Sequence, residues 1–277
     1  MNTAKLMEDV MRVTGQHAQG KLLAGRIDRV GVVLFNQPEK RNALSLAMWD
    51  GLCEALDGFA ADPEVRVVVY AGAGGNAFTA GADISEFASR RDGAEANEAY
   101  NRISGRGREK IQAFAKPSIA CIQGFCMGGG LGVALQAELR VAARDAVFAI
   151  PAARMGIVYG IEPMERLVSL IGPARARLML YTARRFSAEE ALSMGLVEMV
   201  AAEDVVTETL ALAASIAENA PLSIQASRFA LEQVRKAPAE RDLAGMADHT
   251  RRCMDSSDYR EGRAAFTEKR KPVFTGA

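Results

Sequence analysis

Two glycine-rich segments of the sequence could present backbone N–H groups to a developing negative charge. Residues 76–87 (NAFTAGADISEF, the second of three segments along the chain) place small residues before a predicted helix start, and residues 122–132 (IQGFCMGGGLG, the third segment) lead from a strand through three glycines into an apolar helix. Unpaired N–H groups at a helix N-terminus form an anion site. Two such donors from separate loops would make an oxyanion hole, in which each donor is worth about 3–4 kcal/mol. Close helix packing explains the three glycines equally well.

The first of the three segments along the chain carries cations that could bind phosphate. Residues 36–45 (NQPEKRNALS) read as a strand end, a turn and a helix start, with Lys40 and Arg41 side by side. Ammonium and guanidinium groups pair with phosphate oxygens, although a solvated turn is the alternative interpretation. Asp83, at the predicted helix start of the first glycine-rich segment, fits a helix cap or a loop-fixing residue better than a catalyst.

Several kinds of site are not supported by the sequence. A G-x-G-x-x-G dinucleotide fingerprint is missing. No G-x-S-x-G occurs, and His17 and His249 lie in the N-terminal segment and a late helix, so a Ser-His-Asp triad is not expected. The four cysteines form no C-x-x-C pair, which argues against zinc or any other metal site and predicts reduced thiols.

Charge and hydropathy restrict the partners and the location. Lys+Arg and Asp+Glu both number 34, so a formal net charge of zero gives no reason to bind nucleic acid or an anionic membrane. The N-terminus has no apolar segment of a secretion signal, and no apolar run is long enough to span a bilayer. We therefore expect a cytoplasmic protein without a nucleic-acid or membrane partner.

The elements that must position these segments alternate between strand and helix and then become helical. Ser45 is a predicted cap for a helix over residues 46–61, and Lys116-Pro117 should end another. The pattern predicts strands over 27–35, 65–71, 118–123, 140–143 and 146–150. It predicts helices over 46–61, 83–91, 94–115, 128–139, 161–171, 173–182, 187–194, 203–219, 221–236, 239–253 and 258–270. This order predicts an α/β core with a helical C-terminal region.

The three segments, in this order and at these spacings, resemble the crotonase superfamily, also called the enoyl-CoA hydratase/isomerase family. The resemblance covers roughly residues 26–272. It implies an α/β crotonase-like spiral of repeated ββα units with a helical C-terminal trimerisation region, assembled as a homo-trimer or homo-hexamer. The expected division is an N-terminal extension (1–25), loose or partly helical, a spiral core (26–200) and a helical C-terminal region (201–277).

The resemblance also implies roles for individual residues. The N–H groups of Ala82 and Gly129 would form an oxyanion hole for the carbonyl of an acyl-CoA thioester substrate. Coenzyme A would enter as part of that substrate, with no separate cofactor. The residues expected to contact coenzyme A are Lys40, Arg41, Ala43, Ala80, Asp83, Ile84, Phe266 and Lys269.

The sequence departs from the hydratase pattern of this family at two positions. Hydratases place one glutamate two residues beyond the last glycine of the Gly-Gly-Gly run, which is Gly130 here, and another in a later Pro-Glu pair. Here the two positions hold Gly132 and Ala152. Neither side chain can move a proton, so hydration by the two-carboxylate route is not expected.

Two residues in the following loop are candidates for the missing chemistry. Tyr159 could hydrogen-bond the substrate, act as a weak acid, or line the acyl pocket without chemistry. Glu162 could be a base that reaches the α-carbon, or a first-turn glutamate that complements the helix dipole. Arg154 could bind a carboxylate on the acyl group, although a structural ion pair fits it better.

The resulting prediction is an acyl-CoA lyase or isomerase that stabilises a thioester enolate in a backbone oxyanion hole. A decarboxylase or hydrolase is the alternative among enzymes, because loss of CO2 creates the enolate without a protein base. A non-catalytic acyl-CoA-binding protein is the alternative outside enzymes.

Overall fold

The computed structural model describes residues 3–11, 15–83 and 94–277, and its contacts divide the chain into two units, Met1–Ala213 and Ala214–Ala277. The strands are β1 Gly15–His17, β2 Leu22–Ile27, β3 Val30–Phe35, β4 Val67–Gly72, β5 Ala77–Thr79, β6 Ser118–Ile122, β7 Phe125–Met127, β8 Leu139–Ala142, β9 Val147–Ala149, β10 Phe186–Ser187 and β11 Met199–Val200. The helices are α1 Thr3–Met11, α2 Leu46–Ala61, α3 Ala94–Gln112, α4 Gly129–Gln136, α5 Ala152–Met155, α6 Ile161–Thr182, α7 Ala188–Met194, α8 Val205–Ala217, α9 Pro221–Val234, α10 Leu243–Asp255 and α11 Ser257–Glu268.

Two sheets form the framework of the first unit. In the described residues the larger sheet has seven strands in the order β1-β2-β3-β4-β6-β8-β11, and its strands from β3 onward are parallel. The smaller sheet has the order β10-β9-β7-β5. Each of β4, β6 and β8 is followed by a short strand of the smaller sheet and then by a helix. This repeat confirms the predicted α/β spiral of ββα units.

The central strands are apolar along their whole length because both of their faces are covered. Every residue of β3 and β4 is buried, as expected for parallel strands inside an α/β sheet. Local signals fix the helix ends: the Ser45 side chain accepts a hydrogen bond from the Met48 amide, which starts α2 at the predicted position. Gly172, at φ 76°, and Pro173 interrupt α6 where two separate helices were predicted.

One prediction about the N-terminal part is wrong and another is incomplete, because α1 fits the partly helical alternative but strands were not predicted there. Residues 27–35 do not form one strand: β2 and β3 pair antiparallel, and Asp28 turns the chain at φ 50°. The segment before residue 26 is also not a loose extension throughout, because β1 and most of β2 belong to the larger sheet. The first four residues of β2, Leu22 to Gly25, are all buried, and this burial holds the segment in the sheet.

The second unit is helical, as predicted. It contains α9, α10 and α11, and Glu261 of α11 binds the C-terminal segment through Arg270 and the Val273 amide. The Arg270 guanidinium lowers the pKa of the Glu261 carboxyl to about 2. Several large apolar side chains of this unit are exposed, among them Leu231, Leu243 and Phe266. In the described residues, no helix has the length and apolar character needed to cross a bilayer.

Candidate active site

Backbone hydrogen bonds bring the first two sequence segments together. The Ala80 amide donates to the Arg41 carbonyl at 2.9 Å, and the Leu44 amide donates to the Gly81 carbonyl at 2.7 Å. The Asp83 amide donates to the Leu44 carbonyl at 3.0 Å. This bridge uses the groups on either side of Ala82, so the Ala82 N–H points away from the Leu44 segment.

The third segment meets the second at glycines. A Cβ atom added to Gly129 would lie 3.5 Å from the Ala82 amide nitrogen, and one added to Gly81 would lie 3.3 Å from the Gly129 nitrogen. Gly81 has φ 105°, and Gly128, which caps α4, has φ 49° and ψ −117°. These backbone conformations strongly favour glycine. The Ala82 and Gly129 amides therefore lie beside each other.

Neither amide N–H donates a hydrogen bond within the part of the chain that the structure describes. Gly129 is the first residue of α4, where helical amides lack an intrahelical acceptor and the helix dipole is positive. Two neighbouring unused donors are the arrangement that stabilises a carbonyl oxygen as it gains negative charge.

Gly130 keeps the two donors together. A Cβ atom there would lie 2.3 Å from the Thr79 carbonyl oxygen and 2.5 Å from the Thr79 Cγ2. Gly130→Ala should therefore push α4 away from β5 and lower the free energy of unfolding by about 1–3 kcal/mol, measured by urea denaturation. Gly58→Ala is the control: its Cβ would meet nothing within 4 Å, so it should stabilise α2 by up to about 1 kcal/mol. Equal stability of the two variants would contradict this account.

The two amides open onto a cavity of about 170 Å³. Its walls come from the second and third segments, α3 and the loop before α6. Its lining residues are Trp49, Ala80, Gly81, Ala82, Tyr100, Asn101, Ser104, Arg108, Gly128, Gly129, Gly132, Ile150, Pro151, Ala152, Met155, Ile157, Val158, Tyr159, Gly160 and Pro163.

Tyr159 lies beside Gly132. Its hydroxyl donates to the Gly128 carbonyl at 3.4 Å. A Cβ atom on Gly132 would lie 3.3 Å from the same hydroxyl. Burial raises the pKa of the Tyr159 phenol, and the Arg108 charge offsets only part of that rise. The phenol is therefore a neutral donor at physiological pH.

Glu162 lies at the first turn of α6 and is not among the cavity-lining residues. Its Oε2 accepts from Arg108 Nε at 3.3 Å, and its Oε1 accepts from Gln136 Nε2 at 3.4 Å. Both carboxylate oxygens thus contact protein donors, and the Arg108 contact is an ion pair.

Arg108 is the residue that sequence reasoning missed. It lines the cavity, and its side chain is only 16% exposed. Tyr100, Ser104 and Arg108 recur at intervals of four residues on α3, and all three line the cavity. That helical spacing was the signal that could have placed Arg108 in the site. Arg154, the cation considered from the sequence, is exposed and does not line the cavity.

The predicted coenzyme A loop is well fixed. Lys40 Nζ lies 2.9 Å from Asp83 Oδ2, which links the cationic turn to the second segment. The Arg41 guanidinium lies 4.9 Å from the centre of the Phe125 ring, and Ala43 is buried. Beside Arg41 is a second cavity of about 480 Å³. Its lining residues are Pro38, Glu39, Arg41, Asn76, Gly124, Phe125, Asp145 and Val147.

Asn42 holds this loop and was also missed by sequence reasoning. It is fully buried, and its Nδ2 donates to the Ala73 and Ala77 carbonyls at 2.9 and 2.8 Å. Its Oδ1 accepts from the Gln37 amide at 3.0 Å. Asn42 takes φ 56°, a left-handed conformation that asparagine tolerates.

The structure thus brings together Ala80, Ala82, Gly129 and Tyr159, which line one cavity. Lys40 and Asp83 form an ion pair next to them. The predicted helix over 83–91 and the predicted ligand residue Ile84 lie outside the described residues, apart from Asp83. Two further residues belong to the second unit, where Phe266 is 87% exposed and Lys269 ends α11.

Comparison with known proteins identifies the family. The model of the family described as enoyl-CoA hydratase/isomerase matches residues 26–277. The crotonyl-CoA hydratase of Syntrophomonas wolfei is 33% identical over 261 residues, which cover 93% of this chain and 98% of that protein. The 2,3-dehydroadipyl-CoA hydratase of Escherichia coli is 33% identical over 257 residues, with coverage of 92% and 99%.

A solved structure gives the same result. The crystal structure of an enoyl-CoA hydratase/carnithine racemase from Magnetospirillum magneticum matches with a TM-score of 0.88 and 33% identity. The match covers 95% of this chain and 98% of that one. The fold is therefore the crotonase fold, and the chain belongs to the enoyl-CoA hydratase/isomerase family.

Proposed function

We propose that this protein binds an acyl-CoA thioester with its carbonyl oxygen between the Ala82 and Gly129 amides and stabilises the enolate formed there. The observation that carries the proposal is the pair of unused N–H donors, one of them at the N-terminus of α4, facing a cavity. An enolate oxygen carries more negative charge than a thioester carbonyl oxygen. Fixed donors therefore stabilise the enolate more than the substrate, which is the condition for catalysis.

In this proposal, the coenzyme A part of the substrate binds to the loop that contains Lys40, Arg41 and Ala43, next to Ala80 and Asp83. Support comes from its position: the loop is hydrogen-bonded directly to the segment that carries Ala82. Phe266 and Lys269 remain proposed contacts to the adenine end, together with Ile84. A homo-trimer or homo-hexamer built through the C-terminal helices also remains a proposal.

The reaction that forms and then uses the enolate does not follow the two-glutamate route. Gly132 and Ala152 line the cavity at the positions in question, and neither can hold a proton. Decarboxylation of a malonyl-type thioester fits this lining. In that reaction the bond from the α-carbon to the carboxylate breaks, CO2 leaves, and the electron pair remains as the enolate. A proton added to the α-carbon then gives the shortened acyl-CoA.

Hydration is the second candidate, because the two relatives compared above are named crotonyl-CoA hydratase and 2,3-dehydroadipyl-CoA hydratase. For this chain it requires another group to take over the proton transfers. Tyr159 is positioned for that role, since its hydroxyl lies against the Gly132 position. Glu162 is less well placed, because its carboxylate contacts Arg108 and Gln136 and it does not line the cavity.

Tyr159→Phe should lower kcat by about a hundredfold or more, since a positioned acid contributes 10²–10⁴-fold, and should leave KM nearly unchanged. Because burial raises the pKa of the phenol, the wild-type protein should keep this donor protonated beyond about pH 10, the ordinary tyrosine value. Steady-state kinetics across pH checks both expectations. Tyr181→Phe, on an exposed face of α6, is the matched control. An unchanged kcat in Tyr159→Phe would assign the phenol to pocket lining alone.

The first experiment is a mass-spectrometric screen of the full chain with crotonyl-CoA, methylmalonyl-CoA and a longer 3-enoyl-CoA. Turnover of the malonyl-type or 3-enoyl substrate without hydration supports a decarboxylase or an isomerase. Rapid hydration of crotonyl-CoA would show that other groups replace the glutamates. Binding of all three thioesters without turnover of any would favour the non-catalytic acyl-CoA-binding protein.

A further inference from the structure

The acyl cavity contains a cation that enolate stabilisation does not require, the guanidinium of Arg108. Among the described residues that line this cavity, Arg108 has the one charged side chain, and no carboxylate joins it there. Its side chain is 16% exposed. A cation withdrawn this far from water is costly unless an anion meets it.

The Glu162 carboxylate contacts only one edge of the Arg108 guanidinium. Glu162 Oε2 accepts from Arg108 Nε at 3.3 Å, and Gln136 holds the other carboxylate oxygen of Glu162 at 3.4 Å. Arginine has five N–H donors in a planar fork. Within the described residues, the terminal nitrogens of Arg108 donate to no protein acceptor. Glu162 therefore fixes the orientation of the fork and leaves its outer edge unused.

The Arg108 side chain lies on the side of the Ala82 and Gly129 amides where the acyl chain of a bound thioester would extend. A Cβ atom on Gly132 would lie 3.6 Å from Arg108 Cδ, and Gly132 stands about 4.5 Å further along α4 than Gly129 at the usual helical rise. The indole N–H of Trp49, which lines the same cavity, is buried and has no acceptor among the described residues. The Arg108 guanidinium lies 5.9 Å from the centre of the Trp49 ring. Arg108 thus brings hydrogen-bond donors to the part of the cavity that an acyl chain would enter.

We propose that the acyl group of the substrate ends in a carboxylate, which the terminal nitrogens of Arg108 bind inside the cavity. The inference rests on the proposed function, because the thioester carbonyl must lie at Ala82 and Gly129 for the chain to reach Arg108. A carboxylate matches the fork with two parallel hydrogen bonds. Among the described residues that line the cavity, none carries a carboxylate, and the neighbouring Glu162 is held by Arg108 and Gln136.

The test is calorimetric titration of the full chain with malonyl-, succinyl- and glutaryl-CoA. Each is paired with its half-amide thioester, which has nearly the same shape and no acyl charge. At the chain length that spans the two sites, the carboxylate should bind about ten- to a hundredfold more tightly than the amide, the range for hydrogen bonds to a charged group. The preferred length measures the distance between the oxyanion donors and Arg108.

Two variants assign the preference to Arg108. Arg108→Met keeps an apolar stem but removes the charge, so it should bind carboxylate and half-amide equally. Glu162→Gln keeps the oxygen that accepts from Arg108 and removes the competing charge, so it should increase the preference several-fold. An unchanged thermal melting curve by circular dichroism shows that Arg108→Met is folded.

The possible failures are distinguishable. If half-amides bind but carboxylates gain nothing at any length, or if Arg108→Met keeps the carboxylate preference, this inference is overturned and the proposed function stands. If no acyl-CoA of either kind binds, the proposed function fails as well.

Discussion

Gly129→Pro should lower kcat by about 10²–10³-fold, the usual cost of removing one oxyanion donor, while Gly129→Ala should retain most of the activity. Proline has no N–H, and Gly129 is the first residue of α4, the helical position that tolerates proline best. The substitution therefore removes the donor and leaves the helix in place. Steady-state kinetics with whichever thioester the protein turns over measure the difference.

Gly129→Ala is a matched control because it changes the side chain and keeps the amide. Its Cβ would make ordinary contacts, at 3.5 Å from the Ala82 nitrogen and 3.7 Å from the Gly81 Cα. Both variants should melt within a few degrees of the wild type. If proline and alanine have the same effect on kcat at equal stability, the Gly129 amide is not an oxyanion donor and the proposed function loses its main support.

The glycines made this part of the site predictable from the sequence. Gly81 needs a left-handed backbone, and Gly130 has no room for a Cβ atom against Thr79. Glycine is the residue that meets both requirements, so the segments could be recognised from the residue type without any knowledge of the packing. The same holds for Ser45, because a helix cap acts within one turn of its own position.

The acyl end of the cavity was less predictable because its contacts join distant residues. Arg108 and Glu162 are far apart in sequence, and neither residue type shows that the two side chains will pair. The chain turn at Asp28 was missed for a different reason. The apolar residues of β2 and β3 flank it so closely that they read as one strand, although aspartate is a common turn residue that tolerates a left-handed backbone.

The opposite end of α4 depends on a buried charge. Arg140 of β8 is 1% exposed, and its Nη1 donates to the Ala137 carbonyl, at the C-terminal end of α4, at 2.7 Å. Its Nε donates to the Leu196 carbonyl at 2.8 Å, and its Nη2 pairs with Glu198. Burial lowers the pKa of the Arg140 guanidinium and the charge of Glu198 opposes that effect. Arg140 of β8 therefore connects the C-terminal end of α4, the helix that carries Gly129, to the loop before β11.

Glu198→Ala should lower the free energy of unfolding by about 3 kcal/mol, because it leaves a buried guanidinium without its counter-ion. The melting temperature should fall by roughly 6–12 °C for a chain of this size. The interaction energy of the Arg140–Glu198 ion pair can be measured by adding the variant Arg140→Met and the double variant. The double variant should lose less stability than the sum of the two single variants, because it no longer contains the buried guanidinium that Glu198→Ala leaves without a counter-ion. Additive losses in urea denaturation would mean that Arg140 stabilises the fold through its carbonyl contacts alone. In either case, loss of activity in Arg140→Met at temperatures where the variant is folded would show that the far end of α4 positions the Gly129 amide.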